Sequence, residues 1–170
     1  MHKANKWIAA TLVPVSLLVS IKQWESGGKE HPTPYKDIAG VLTVCDGHTG
    51  PDIIPGKRYT PQECNALLEK DIKKHGTGVL QCINVPISMK EYEAYTSLAF
   101  NIGVGNFCAS NVLRTLNKGN HSLACKGIYQ HPNGRPAWSY SGGKYVQGLQ
   151  NRRYAEYKTC MEGIPKGVAP

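Results

Sequence analysis

At 170 residues the chain is one domain's worth, a length that buries roughly two thirds of its unfolded surface around a single core, and no second domain is expected. A formal charge of +8 predicts attraction to polyanions: nucleic acid, an anionic membrane face or an acidic cell wall. The cations are dispersed, with no basic block and no zinc-finger, basic-zipper or aromatic-sheet motif, which argues against nucleic acid as a partner.

The chain begins Met1-His2-Lys3-Ala4-Asn5-Lys6 and then carries no charge from Trp7 to Ile21, the pattern of a basic region followed by an apolar export segment. No small-x-small cleavage site precedes Lys22, and cutting after Ser20 would leave Glu25 on a loose end. As a helix the run reaches about 22 Å against a hydrocarbon core of about 30 Å. Pro14, Thr11, Ser16 and Ser20 weaken it further, whereas extension to Trp24 with Lys22 snorkelling nearly spans. A segment over residues 7–24 that inserts but is held weakly is therefore expected. The alternative is a buried core helix broken at Pro14.

Between Gly27 and Gly50, glycines and prolines punctuate the β-prone pieces Tyr35 to Ile38 and Val41 to Cys45, a small hairpin region. Thr60-Pro61-Gln62-Glu63 is a capping box with Pro at the first helical position, predicting a helix that stops near Gly76. Ser88-Met89-Lys90-Glu91 is a second box and opens a helix ending around Gly103. Shorter helices are predicted from Ser110 to Gly119 and from Asn120 or Ser122 to about Tyr129, with a longer one from Lys144 to Glu162. His131 to Pro136 reads as a loop and Gly163 to Pro170 as a loose tail. The fold class is α+β, mostly helical, with a small hairpin region and a helical C-terminal lobe.

Cys45, Cys64, Cys82, Cys108, Cys125 and Cys160 are well spread and form no C-x-x-C pair, so neither a metal site nor a redox motif is expected, and no cofactor. An even count in an exported chain predicts disulfides in an oxidising compartment. Spacing alone leaves fifteen pairings open.

The chemistry centres on two carboxylates. Glycosidic-bond hydrolysis needs one carboxylic acid to protonate the leaving oxygen and a second carboxylate to stabilise positive charge or activate water. Glu25 follows Ile21 and Trp24 at the end of an apolar helix, where desolvation suits it as the acid. Asp37 lies in a glycine-bounded hairpin that stays wetter. Thr43 is six residues further on, a spacing that puts both side chains on one face of an extended segment, with room for a water between their oxygens.

These residues sit within motifs that run through most of the chain: Trp24-Glu25, Tyr35-Lys36-Asp37, Gly40 to Gly50, Tyr59 to Cys64, Ala99 to Phe107, Trp138 to Lys144, Gly148-Leu149 and Arg152-Arg153. In them the chain resembles the phage-type lysozymes, glycoside hydrolase family 24, and within that family the endolysins of lambdoid phages that carry a signal-arrest-release segment. The resemblance implies a lysozyme-like fold, with residues 1–24 as a membrane segment that refolds as the first helix and residues 25–170 as a single catalytic domain. It implies Glu25 as general acid, Asp37 as second carboxylate, Thr43 as the partner that positions water, and cleavage between N-acetylmuramic acid and N-acetylglucosamine in peptidoglycan. Phe100, Asn101 and Arg152 match positions near the saccharide cleft, and His48 with Asp71 matches a structural pair. Recurrence of Cys45 and Cys64 in relatives, with chain proximity, favours the pairs 45–64, 82–108 and 125–160. The family usually has eight residues between the two carboxylates, whereas eleven separate Glu25 from Asp37; the added length lies in Ser26 to Pro34, where Glu30 is a rival acid without the preceding apolar helix.

Residues about 15 to 25 are wanted both in the bilayer and in the first helix, with Leu17, Leu18, Ile21 and Trp24 facing the core. The expectation is a monomer held at the inner membrane, inert until loss of membrane potential releases it into the periplasm. No Cys precedes position 45 to block the anchored form. A lytic transglycosylase, a wall-binding or inhibitory module on the same fold, and a disulfide-rich exported adhesion protein are the alternatives.

Overall fold

The computed structural model describes residues 2, 5, 8, 13–27, 31–37 and 40–164. Glu30, much of the uncharged N-terminal run, Ile38 and the tail beyond residue 164 lie outside the described residues. The chain divides into two compact units, one of Val13–Lys74 and one of Met1–Leu12 with His75–Pro170.

The first unit opens with α1 (Val15–Ser26). It starts directly after Pro14, whose fixed φ suits a helix start and whose missing N–H needs no partner there. Leu17 and Ile21 stack one turn apart on its buried side, Leu18 and Trp24 are half-buried, and Val15 and Val19 face outward. Gly27 ends the helix in the left-handed conformation, at φ 57°, donating its N–H to the carbonyl of Gln23. Strands β1 (His31–Lys36), β2 (Leu42–Cys45) and β3 (His48–Thr49) follow as an antiparallel sheet in that order. β1 starts four residues earlier than the β-prone stretch at Tyr35 predicts. It takes in Pro32 and Pro34, which an edge strand tolerates because its outward N–H groups have no partner to lose. Val44, Cys45, Ile53, Tyr59 and Cys64 form the local core under this sheet, with a disulfide joining Cys45 to Cys64.

The Thr60 box opens α2 (Pro61–Cys82) as expected: Thr60 Oγ1 accepts the Glu63 N–H and Glu63 Oε2 accepts the Thr60 N–H. The helix does not stop near Gly76; it continues to Cys82. Gly76 and Gly78 are used for close approach: a Cβ at Gly76 would overlap the Tyr92 hydroxyl, and one at Gly78 would meet Val104 Cγ1 at 2.8 Å. Packing against those side chains outweighs the modest helix penalty of glycine.

In the second unit, Ser88 and Glu91 form the other capping box and open α3 (Met89–Ile102). The short helices α4 (Val104–Ala109), not anticipated, and α5 (Asn111–Leu116) follow, and then α6 (His121–Tyr129). The long final helix does not begin at Lys144. Tyr140–Ser141 (β4) and Lys144–Tyr145 (β5) pair as a two-residue hairpin around Gly142-Gly143, and α7 runs from Gln147 to Glu162. Positive φ at both tip residues is what such a turn requires, and glycine supplies it. Tyr95, Leu98, Phe107, Leu116 and Ile128 are in the core of this unit, and disulfides join Cys82 to Cys108 and Cys125 to Cys160. Near the chain start, buried Asn5 donates to the carbonyl of Val85 and accepts the N–H of Ile87, and Ile8 is buried. Among the described residues no helix is long and apolar enough to cross a membrane.

Candidate active site

Glu25, Asp37 and Thr43 all belong to the Val13–Lys74 unit. Glu25 stands on the last turn of α1, whose end is fastened by Lys22 Nζ donating to Asn65 Oδ1 on α2 at 2.7 Å and by Ser26 Oγ donating to the Lys22 carbonyl. Its own side chain is exposed, although it stands one turn after buried Ile21 on the same side of the helix.

Asp37 lies at the turn between β1 and β2. Its main-chain N–H donates to the Val41 carbonyl at 2.9 Å, and its Oδ1 accepts the Val41 N–H at 2.8 Å. Gly40, at φ 78°, donates to the Asp37 carbonyl. An aspartate whose side chain closes its own turn is a recognised turn former, and the Asp-x-x-Gly spacing is the sequence signal for it. Thr43 is 4% exposed, and its hydroxyl donates to the Val41 carbonyl at 3.1 Å. The segment from Asp37 to Thr43 is not extended, contrary to expectation, since it folds back through the turn. The same-face relation arises instead from register. Tyr35 pairs with Thr43 across the antiparallel ladder, so Asp37, two residues beyond Tyr35, is the diagonal neighbour of Thr43 on that face. The hydroxyl hydrogen of Thr43 is committed to Val41, and its lone pairs remain to accept from a water.

His48, buried on β3, faces two carboxylates: Nδ1 is 2.7 Å from Asp71 Oδ2 and Nε2 is 3.1 Å from Asp52 Oδ1. Lys70 Nζ reaches the other oxygen of Asp52 at 2.6 Å. The Lys70 ammonium, then the His48 ring, holds the Asp52 carboxyl below the usual carboxylate range. Asp52 was not singled out in the sequence; its i, i+4 relation to His48 was the available signal. This cluster ties β3 and the loop after it to α2.

Phe100, Asn101 and Arg152 belong to the other unit. The Phe100 ring meets the His75 ring at 4.8 Å between centroids, and exposed Asn101 accepts from Arg153 Nη1 at 3.1 Å. Arg152 is buried, donating to Glu156 Oε1 and the Ser97 carbonyl. Glu156, also buried, bonds Ser97 Oγ and both arginines, and burial pushes its carboxyl upward against the pull of Arg153 and Arg152. Among the described residues no group of three or more His, Cys, Asp or Glu side chains is arranged to hold a metal ion.

A helix ending in an exposed glutamate, followed by a three-stranded hairpin sheet with an aspartate in its first turn and then a helical lobe, is the layout of lysozyme-like glycosidases. Residues 22–156 match the family model described as phage lysozyme, and the chain belongs to that family. It is 44% identical over 130 residues to the SAR-endolysin of Bacteriophage PS119, covering 76% of this chain and 74% of that protein. The SAR-endolysin of Enterobacteria phage P21 is similar to the same extent. Among solved structures, a P22 lysozyme mutant aligns with a TM-score of 0.75 at 27% identity, covering 89% of this chain and 99% of that one. The active form of P1 phage endolysin Lyz aligns at 0.73 and 24%, over 95% and 92%, a likeness of fold alone. The protein is therefore a glycosidase of the phage lysozyme class, with the mostly helical α+β fold of that class.

Proposed function

We propose that the chain is an endolysin cutting the β-1,4 bond between N-acetylmuramic acid and N-acetylglucosamine in peptidoglycan, acting as a monomer in the periplasm and without a nucleic-acid partner. Glu25 protonates the leaving oxygen. Asp37 and Thr43 hold a water between them on the opposite side of the bond, Asp37 by the carboxylate oxygen not engaged with Val41 and Thr43 by its lone pairs. The register that makes Asp37 and Thr43 diagonal neighbours carries this reading. By motif resemblance Phe100 and Asn101 contact the glycan, and Arg152, being buried, acts through its bonds to Glu156 and the Ser97 carbonyl.

Before release, residues 7–24 hold the chain in the inner membrane, with Glu25 pinned at its surface. Support comes from α1, where Leu17 and Ile21 are buried in the folded form and so cannot also lie in lipid. Replacing Ser16 and Ser20 with Leu is expected to strengthen anchoring and delay lysis; unchanged timing would refute the gating.

Mass spectrometry of digested sacculi tests the chemistry. Reducing-end muramic acid is the expected product, anhydro-muramic acid would indicate a lytic transglycosylase, and no product a binder. Glu25→Gln is expected to fold and to release nothing. Retained activity in that variant would pass the acid role to Glu30.

A further inference from the structure

From Glu93 to Glu156 the chain carries no acidic residue between the two, yet the same stretch holds Arg114, Lys118, Lys126, Arg135, Lys144, Arg152 and Arg153. Arg152 and Arg153 are buried against Glu156, and Arg114 donates to the neutral acceptors Asn111 Oδ1 and the Ala109 carbonyl. Lys118, Lys126, Arg135 and Lys144 are exposed, and among the described residues none of them makes an ion pair. This part of the second unit thus presents positive charge with no internal counter-charge along the chain.

The charge is held on a built surface. Residues 130–137 form a stiff loop: His131 donates to the Arg135 carbonyl at 2.8 Å, Gly134 to the His131 carbonyl at 2.9 Å, Gln130 Nε2 to the Gly134 carbonyl and Ala137 to the Tyr129 carbonyl. Trp138, at φ 53°, joins this loop to the β4–β5 hairpin, a conformation that a bulky residue adopts only when its surroundings impose it. Between loop and hairpin lies a hollow of about 520 Å³ lined by His131, Pro132, Asn133, Arg135, Pro136 and Tyr140. Tyr140 is 43% exposed, with its ring edge-on to that of Tyr145 at 5.8 Å, and Lys144 stands between them in the sequence.

We propose that this loop and hairpin form a second binding surface for the peptidoglycan strand, with Arg135 and Lys144 pairing to carboxylates of the muramyl peptide and Tyr140 offering its ring to the glycan. The inference rests on the peptidoglycan reading above. A guanidinium and an ammonium that make no ion pair among the described residues complement a polymer that repeats carboxylates, and an aromatic ring beside a hollow suits a sugar ring. A lipid surface is flat, whereas the site here is a hollow beside two cations, so a wall strand is the occupant it fits and vesicles serve as the competing probe.

The test measures sedimentation of the full chain carrying Glu25→Gln, so that binding is read without turnover. The probes are purified sacculi, sacculi with carboxylates converted to amides, and phosphatidylglycerol vesicles. Adding Arg135→Glu and Lys144→Glu is expected to weaken binding to native sacculi about tenfold at low salt, with the difference shrinking at high salt. On amidated sacculi the two proteins should bind alike. Tyr140→Ala is expected to weaken binding to both kinds of sacculi equally. Equal binding of the parent and charge-reversed proteins to native sacculi would overturn the proposal, as would a difference seen only on vesicles, which would assign the surface to lipid. Muramic acid release by the unsubstituted enzyme is followed in parallel, so a failed wall chemistry shows as missing product and a failed surface as unchanged binding with product intact.

Discussion

Asp37 closes, through Oδ1 on the N–H of Val41, the turn that presents its own carboxylate. One oxygen shapes the hairpin, and under the proposed function the other is the one that meets the water. Asparagine keeps an oxygen able to accept that N–H, and alanine does not. Asp37→Asn is therefore expected to melt near the parent, and Asp37→Ala to be less stable by about 1 kcal/mol. Neither should lyse cells. Thermal melts with a turbidity assay check this, and parental lysis by Asp37→Asn would remove the charge from the mechanism.

The ion cluster on β3 should show in the acid limb of stability. Asp52 is held below its ordinary range by Lys70 and His48. A carboxylate depressed on folding adds stability that is complete above its unfolded value, about 4, and is lost as the pH falls through the lower folded value. Asp52→Asn should therefore melt below the parent at about pH 6, with the two midpoints converging as the pH drops below about 4. Calorimetry across that range reads the convergence; parallel curves would mean that Asp52 contributes no proton linkage.

Glu156 sits buried between Arg152 and Arg153 with Ser97 as a further donor. Glu156→Gln removes a buried anion from between two buried guanidiniums, and the expected loss is about 3–5 kcal/mol in urea unfolding. A loss below about 1 kcal/mol would show that water or another acceptor reaches the arginines.

Gly76→Ala should destabilise by about 1–3 kcal/mol, because the new methyl runs into the Tyr92 side chain. Tyr92→Phe in the same chain is expected to recover part of that loss. No recovery would mean that the helix, not the ring, takes up the overlap.

The two helix starts at Thr60 and Ser88 were legible because a capping box is local chemistry: a hydroxyl and a carboxylate three residues apart satisfy each other's backbone. The end of α2 was not legible, since Gly76 reads as a stop until Tyr92, distant in sequence, is seen packed on it. Nor was the β4–β5 hairpin, although Gly142-Gly143 is a hairpin signal; the following helical pattern masked it. At the site, motif resemblance picked out Asp37 and Thr43, but their shared face depends on ladder register, which a spacing of six residues does not reveal. The exposure of Glu25 was hidden for a related reason, because an apolar run does not say how far along its helix burial extends.

The three bridges close loops of 19, 26 and 35 residues, and each has both ends inside one compact unit. A scrambled isomer that linked Cys45 or Cys64 to any other thiol would have to join the two units. Once Cys45 and Cys64 are joined within the smaller unit, the fifteen pairings open to six thiols fall to the three open to the four of the larger unit.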